Sequence, residues 1–168
     1  MALNDNSIGH FMVAVGAIIL DSTSGKILLL KRNDQFHFGE WEVPYGRLAQ
    51  HEEILTGLAR EIQEETGITQ FQVQRVLRLW HVYRGEKTAD KEIFGTTFLI
   101  SVSSPTITLS DEHTEYRWVK PTEALNLIKV KGIHADVAHY VTSVKNNSNS
   151  IMIADSTESV AAVIGDLT

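Results

Sequence analysis

One stretch of helical periodicity, residues 52–66, interrupts a chain whose first 119 residues are otherwise rich in β-forming segments. Its apolar residues recur on one helical face, and they are Leu55, Leu58, Ala59 and Ile62. Gly67 follows directly and suits the left-handed conformation that ends many helices, while Glu52 and Glu53 suit the positive end of the helix dipole. The sequence therefore predicts one amphipathic helix that buries its apolar face.

The remaining segments predict strands before and after this helix and two helices near the end. Residues 11–20 and 26–30 are apolar, β-branched and separated by a polar turn, so they predict a hairpin. Residues 71–83 and 93–102 predict an antiparallel pair, and shorter strands are expected at 41–43 and 115–119. Pro121 favours a helix start, and the expected helices are 121–128 and 135–144. The chain is therefore predicted to contain both strands and helices.

We expect one domain over residues 1–144, because a chain of 168 residues with 43% hydrophobic residues can bury a sizeable core. The polar run 145–150 predicts a linker. For residues 151–168 three interpretations stay open: a strand with a short helix, a segment that packs on a partner subunit, or a poorly specified extension.

Composition excludes several classes of site and partner. The chain has no cysteine, so a metal would be held by oxygen or imidazole ligands, which favours Mg²⁺ or Mn²⁺. A formal charge of −6 argues against binding long nucleic acid through its backbone. No apolar stretch approaches the roughly 20 residues of a membrane span, and residues 1–10 lack the pattern of a secretory signal. We expect a cytoplasmic protein.

The predicted helix carries an acidic border. At about 100° per residue, Glu61, Glu64 and Glu65 lie within roughly a third of the helix circumference, beside the apolar stripe. Like charges at these spacings repel each other, so a cation is needed to offset the repulsion. Arg60 can pair with one acid, and a divalent cation can bridge the others.

The segment from Gly46 to Ile68 resembles the Nudix box, the sequence signature of a family of phosphoanhydride hydrolases. The matching positions keep the spacing of that motif, and they are Gly46, Glu52, Arg60, Glu61, Ile62, Glu64, Glu65, Gly67 and Ile68. The similarity extends over about residues 11–144. Where the family often has Pro-Gly-Gly, this chain has Pro44-Tyr45-Gly46, so Tyr45 either narrows the pocket or turns away from it.

The resemblance implies a Nudix α/β/α sandwich with a mixed β-sheet and a Mg²⁺-dependent hydrolase, with Mn²⁺ as a substitute. It implies catalytic roles for Glu61, Glu64 and Arg60, with the base being either Glu61 or Glu64. The implied metal ligands are Glu61, Glu64, Glu65 and Glu112. The implied substrate contacts are Arg32, Gly46 and Tyr83. Two alternatives remain, since Gly46 can be an ordinary loop glycine and Glu112 a solvated acid with Glu115 as the next candidate.

The implied substrate is a small nucleotide in which a nucleoside diphosphate is linked to another moiety: a nucleoside triphosphate, a dinucleoside polyphosphate or a nucleotide sugar. The alternative is a nucleotide-binding regulatory module with the same fold and no turnover. An isoprenoid diphosphate isomerase of this fold relies on a cysteine, which this chain lacks. Many relatives are dimers, so a homodimer is a further expectation.

Overall fold

The predicted hairpin opens the structure, a computed structural model that describes residues 9–34, 38–154 and, by backbone alone, 162–164. Strand β1 (Met12–Asp21) pairs antiparallel with β2 (Lys26–Arg32). The turn between them is closed by Asp21, whose carboxylate accepts hydrogen bonds from Thr23 N (3.0 Å) and Ser24 Oγ (2.5 Å). The hairpin prediction is therefore confirmed.

The described residues form one mixed sheet of nine strands. The strands after the hairpin are β3 (Trp41–Glu42), β4 (Tyr45–Arg47), β5 (Gln72–Tyr83), β6 (Glu92–Val102), β7 (His113–Val119), β8 (Ile151–Ala154) and β9 (Ala162–Ile164). Their order across the sheet is β3-β2-β1-β6-β5-β8-β9, with β4 beside β1 and β7 beside β2. The β5/β6 pair is antiparallel as predicted, while β1/β6 and β5/β8 are parallel.

Three α-helices accompany the sheet in the part of the chain that the structure describes: α1 (Ile54–Thr66), α2 (Pro121–Leu127) and α3 (Lys131–Lys145). Gly67 ends α1 at a φ of 73°, as its position predicts. Glu53 is the N-cap of α1 and Glu52 precedes it, so both acids lie at the start of the helix, although its first turn holds no acid. Helix α3 begins at Lys131 rather than at residue 135.

Two apolar cores lie on opposite faces of the sheet. Leu58 and Ile62 of α1 pack on one face against Val15, Ile19 and Leu30. On the other face α2 and α3 cover a second core, whose members include Ile18, Leu29, Ala124, Val137 and Tyr140. Leu55, in the first turn of α1, is 56% exposed, so the buried stripe begins one turn later than its periodicity predicts. The predicted α/β/α arrangement of a mixed sheet between helices is confirmed.

The end of the chain contributes to the sheet. Strand β8 pairs in parallel with β5, matching Arg78 to Met152 and Trp80 to Ala154, and β9 pairs antiparallel with β8. Residues 155–161 and 165–168 lie outside the described part, as do residues 1–8 and 35–37. Among the helices that are described, none has the length and apolar character that a membrane crossing requires.

Candidate active site

The predicted acids of α1 lie at increasing depth between solvent and core. The side chain of Glu64 is 58% exposed and that of Glu61 is 14% exposed, while Glu65 as a residue is 6% exposed. This gradient follows from the helical period, because Glu65 lies closest to the buried stripe of Leu58 and Ile62. The helix thus holds three carboxylates in environments that differ in polarity.

Arg60 ties this group of acids together. Its guanidinium donates to both carboxylate oxygens of Glu52 (2.8 Å each), to Glu61 Oε1 (2.8 Å) and to Glu64 Oε2 (3.0 Å). Nη2 also donates to the carbonyl oxygen of Arg47 (3.0 Å). The hydrogen bonds from Arg60 lower the pKa of Glu52 to about 2, and Glu52 in turn raises the pKa of Arg60 above its usual value. Arg60 therefore contacts three carboxylates, and the orienting role that the resemblance implies for it stays a prediction.

Glu65 is an acid that forms no ion pair with the residues that the structure describes. Its Oε2 atom is buried and finds no hydrogen-bond partner within the described part of the chain. Burial, followed by the negative charges of Glu42, Glu61 and Glu112, raises the pKa of Glu65 to about 9. A carboxyl group in this position is protonated at neutral pH unless a cation is supplied.

Gly46, on β4, lies against the carboxylate of Glu61. A Cβ atom added at Gly46 would stand 1.7 Å from Glu61 Cδ, far inside any real contact. Only glycine leaves room for this carboxylate at the strand, so Gly46 is not an interchangeable loop residue. Burial raises the pKa of Glu61, although hydrogen bonding by Arg60 opposes the shift.

Sequence reasoning missed Glu42, which is 5% exposed on β3. Its carboxylate accepts two hydrogen bonds from Arg32 Nη1 (3.0 and 2.8 Å), and Oε1 lies 3.1 Å from His113 Nε2. Among the neighbouring acids, Glu42 carries the charge that raises the pKa of Glu65 most. The sequence does hold a signal for this role, because Glu42 is an acid within the apolar strand segment 41–43. Charged residues are rarely buried without a partner, so an acid in a buried strand indicates a polar site.

The other predicted residues lie around this cluster at different distances. Arg32 is engaged by Glu42 and Asp34, so its guanidinium already serves two carboxylates. Glu112 is exposed in the loop before β7, and its charge raises the pKa of both Glu61 and Glu65. Glu115 instead pairs with Lys31 (3.4 Å) and Arg117 (2.7 Å) on the strand itself. These contacts favour Glu112 over Glu115 as the loop acid near the helix.

Tyr83 is not brought to the acids. It is the last residue of β5, four residues beyond Leu79. Leu79 pairs with Thr96, Thr96 pairs with Val15, and Val15 pairs with Gly46, so Leu79 and Gly46 lie in one row across the sheet. At standard strand dimensions this places its backbone roughly 13 Å along the strands and roughly 14 Å across them from Gly46. Its hydroxyl donates to Glu92 Oε1 (3.2 Å), and Lys87 lies 5.5 Å from its ring. A substrate contact by Tyr83 stays a prediction for a long substrate.

The residues present suit a hard divalent cation. They offer carboxylate oxygens, one of them buried and unpartnered, in a site where the negative charges raise the pKa of Glu65. Among the residues that are described, no three acids or histidines already stand together at ligating geometry, since Arg60 holds Glu61 and Glu64. Binding of a cation thus requires these side chains to exchange partners.

The raised pKa of Glu65 predicts how the metal-free protein responds to pH. The folded pKa exceeds the unfolded one, so the folded state binds more protons between about pH 4.5 and 9, and stability falls as pH rises through that window. We expect the melting temperature to fall by roughly 10 °C between pH 6 and 9. Glu65→Gln should remove most of this slope, and Glu53→Gln, at the exposed position immediately before the same helix, should keep it. An identical slope in Glu65→Gln would contradict the assignment.

Comparison with known sequences identifies the family. Residues 10–141 match the family described as the NUDIX domain. The chain is 32% identical over 114 residues to a MutT-like protein of Streptomyces ambofaciens, covering 68% of this chain and 66% of that protein. It is 33% identical over 120 residues to the asymmetrical bis(5'-nucleosyl)-tetraphosphatase of Rattus norvegicus, covering 69% and 78%. Matches to two other relatives span only 21% and 16% of their lengths.

Solved structures agree on the fold. A NUDIX hydrolase from Nitrosomonas europaea superposes with a TM-score of 0.74 at 20% identity, covering 88% of this chain and 80% of that one. An Ap4A hydrolase from C. elegans superposes with a TM-score of 0.64 at 20% identity, covering 80% and 98%. The family match covers residues 10–141 and includes the box from Gly46 to Ile68, and the structure places the acidic helix of that box against Gly46. The chain therefore belongs to the Nudix hydrolase family.

Proposed function

We propose that this protein is a divalent-metal-dependent hydrolase that cleaves a phosphoanhydride bond in a nucleoside diphosphate linked to another moiety. The observation that carries the proposal is Glu65, a buried carboxyl with an unpartnered oxygen beside Glu42, Glu61 and Glu112. Such a concentration of acids is unfavourable on its own, and a bound divalent cation would offset it and supply positive charge for a phosphate group.

The proposed cation is Mg²⁺, with Mn²⁺ as a substitute, because all the available ligands are carboxylate oxygens. Glu61, Glu64, Glu65 and Glu112 are the residues that would hold it. When bound, the cation supplies charge neutralisation for phosphate oxygens and lowers the pKa of water. Arg60 is itself fixed by Glu52 and by the carbonyl oxygen of Arg47, so it would stay beside Glu61 and Glu64 when these acids turn from it to the cation.

Of the two candidates for the base, Glu61 is favoured. Its side chain is 14% exposed and burial raises its pKa, which brings a carboxylate closer to the pH at which it can accept a proton from water. Glu64 is 58% exposed and lies at the outer edge of the cluster, where it suits a metal ligand. We therefore propose that Glu61, besides holding the metal, accepts the proton of the attacking water, and that Glu64, Glu65 and Glu112 serve as metal ligands alone.

The first substrate class to test is the dinucleoside polyphosphates. The support is the similarity to asymmetrical bis(5'-nucleosyl)-tetraphosphatases of Rattus norvegicus and Mus musculus, each matched over 78% of its length. A long substrate would also bring the distant Tyr83 within reach as a stacking partner for a base. Nucleoside triphosphates and nucleotide sugars remain the other members of the proposed class, and the homodimer remains a separate prediction.

A product assay tests the proposal. The protein is incubated with dinucleoside polyphosphates, nucleoside triphosphates, ADP-ribose and nucleotide sugars, with Mg²⁺, with Mn²⁺ and with chelator, and products are separated by anion exchange. The proposal expects a nucleoside mono- or diphosphate product from at least one substrate, and none with chelator. Tight nucleotide binding without product from any compound would favour the regulatory module instead.

A further inference from the structure

Tyr45 turns away from the acids. Neighbouring residues of a strand point to opposite faces, so Gly46 faces Glu61 while Tyr45 enters the core beneath α3. The Tyr45 ring lies over Gly16, where an added Cβ would stand 2.1 Å from the ring. Its edge meets Trp80, with ring centroids 6.0 Å apart and planes at 71°. The residue that departs from the family's usual Pro-Gly-Gly therefore leaves the Glu61 side of β4 open.

The Tyr45 hydroxyl ends in a buried polar cluster that we call the α3 cluster, made of Tyr45, Arg78, Thr97 and Asp136. The hydroxyl donates to the carboxylate of Asp136 and lies 2.7 Å from Thr97 Oγ1. Thr97 Oγ1 also lies 3.0 Å from Asp136 Oδ2. Asp136 is 0% exposed on α3, and Arg78, 6% exposed on β5, pairs with it through Nε and through Nη2 (3.1 Å).

Stability alone gives no reason for this cluster. Its polar groups are all partnered within the described part of the chain, and Arg78 Nη2 also donates to the carbonyl oxygen of Gly132 (3.1 Å). Replacing a buried ion pair with apolar residues is nonetheless often neutral or stabilising, because desolvation offsets the attraction between the charges. Unlike apolar side chains, the cluster holds the Tyr45 hydroxyl in one direction through hydrogen bonds to Asp136 and Thr97.

That direction matters because β4 is only three residues long. It pairs with β1 through Tyr45, Gly46 and Arg47. Gly46 forms the wall against the Glu61 carboxylate, and the Arg47 carbonyl oxygen accepts from Arg60 (3.0 Å). A small rotation of β4 would therefore shift Gly46, which contacts the Glu61 carboxylate, and the Arg47 carbonyl oxygen, which binds Arg60. The acids that Arg60 contacts would move with it.

We propose that the α3 cluster is a positioning device: from the opposite face of the sheet, it fixes β4 so that Gly46 and Arg47 hold Glu61 and Arg60 in place. These residues act through β4 and not by contact with substrate. The inference rests on the proposed function in that Glu61 and its neighbours bind metal and carry the reaction. It makes α3, which lies on the far side of the sheet, a determinant of the metal site.

The test uses substitutions that remove one hydroxyl at a time in the full chain. Tyr45→Phe keeps the ring, and Thr97→Val keeps the shape of threonine while losing its hydroxyl. Both should lower kcat by about 10-fold or more with little change in KM, and weaken Mn²⁺ binding by about 10-fold, as loss of a residue supporting a metal ligand does. Mn²⁺ affinity is measured by electron paramagnetic resonance of the free ion and needs no substrate.

Two matched variants separate positioning from packing. Thr97→Ser retains the hydroxyl and should restore kcat and Mn²⁺ affinity to within about twofold of the original protein, although it loses a buried methyl group. Tyr140→Phe makes the same change as Tyr45→Phe at a buried tyrosine of α3 and should leave both values unchanged. Melting temperatures are recorded for all four variants, so that a loss of folding is not read as a loss of positioning.

The outcomes are distinguishable. Unchanged kcat and Mn²⁺ affinity in Tyr45→Phe and Thr97→Val would overturn the inference, even if both variants melt at lower temperature. An equal loss in Thr97→Ser would also overturn it, because the effect would then come from packing. Absence of turnover in the original protein would refute the proposed function instead, while the Mn²⁺ affinities of the variants would still decide the positioning role.

Discussion

Replacing Glu64 or Glu65 with glutamine is expected to lower Mg²⁺-dependent turnover by about 10³-fold, because each change removes a negative charge from a site whose cation contributes several kcal/mol to the transition state. Glutamine keeps the shape of the side chain, so the fold should persist. At the 6% exposed Glu65, whose pKa is raised to about 9, the neutral side chain should even stabilise the metal-free protein at alkaline pH.

The matched control is Glu53→Gln, which removes one charge immediately before the same helix at an exposed position. Its turnover should stay within about twofold of the original protein, since exposed charges contribute little. Initial rates over a range of Mg²⁺ concentrations would provide the comparison. Full turnover in both Glu64→Gln and Glu65→Gln would contradict the assignment of these acids as metal ligands.

Adding a single methyl group at Gly46 is the second change with a large expected effect. In Gly46→Ala the new Cβ would stand 1.7 Å from Glu61 Cδ, so the carboxylate must swing away from β4. The end of a glutamate side chain can move at small cost to the fold, but a displacement of about 1 Å in a catalytic group can reduce turnover by about 100-fold. We expect this loss in kcat with a nearly unchanged melting temperature.

Gly132→Ala provides the matched control for the added methyl group. The nearest atom to its Cβ would be Arg78 Nη2 at 3.4 Å, an ordinary contact, and alanine is a better helix former than glycine. Turnover should be retained in this variant. If Gly46→Ala kept normal kcat as well, the close approach of β4 to Glu61 would have no role in catalysis.

Elements with a local signal were predictable from the sequence. The hairpin, the β5/β6 pair and α1 each follow from periodicity and turn residues within the segment itself. Gly67 marked the end of α1 because its conformation depends only on neighbouring residues. The spacing of Glu61, Glu64 and Glu65 placed these acids on one border of that helix, and the structure has them there.

The rest depends on contacts between residues far apart in the sequence. Strand β4 was not predicted, because three residues that contain a glycine carry no periodic pattern and pair only with the distant β1. The role of Glu42 depends on Arg32 and on His113, which is 71 residues away. Likewise, the face of the sheet to which Tyr45 points depends on its hydrogen bond to Asp136 on α3, which lies far away in the sequence.

The measurement that tests the central claim most directly is Mn²⁺ binding to the full chain at neutral pH, compared with a Glu64→Gln/Glu65→Gln double variant. The account predicts saturable binding by the original protein, accompanied by release of about one proton because Glu65, with a pKa of about 9, must ionise. It predicts loss of both signals in the double variant. Equal Mn²⁺ affinity in the two proteins would contradict a metal site built on the carboxylates of α1.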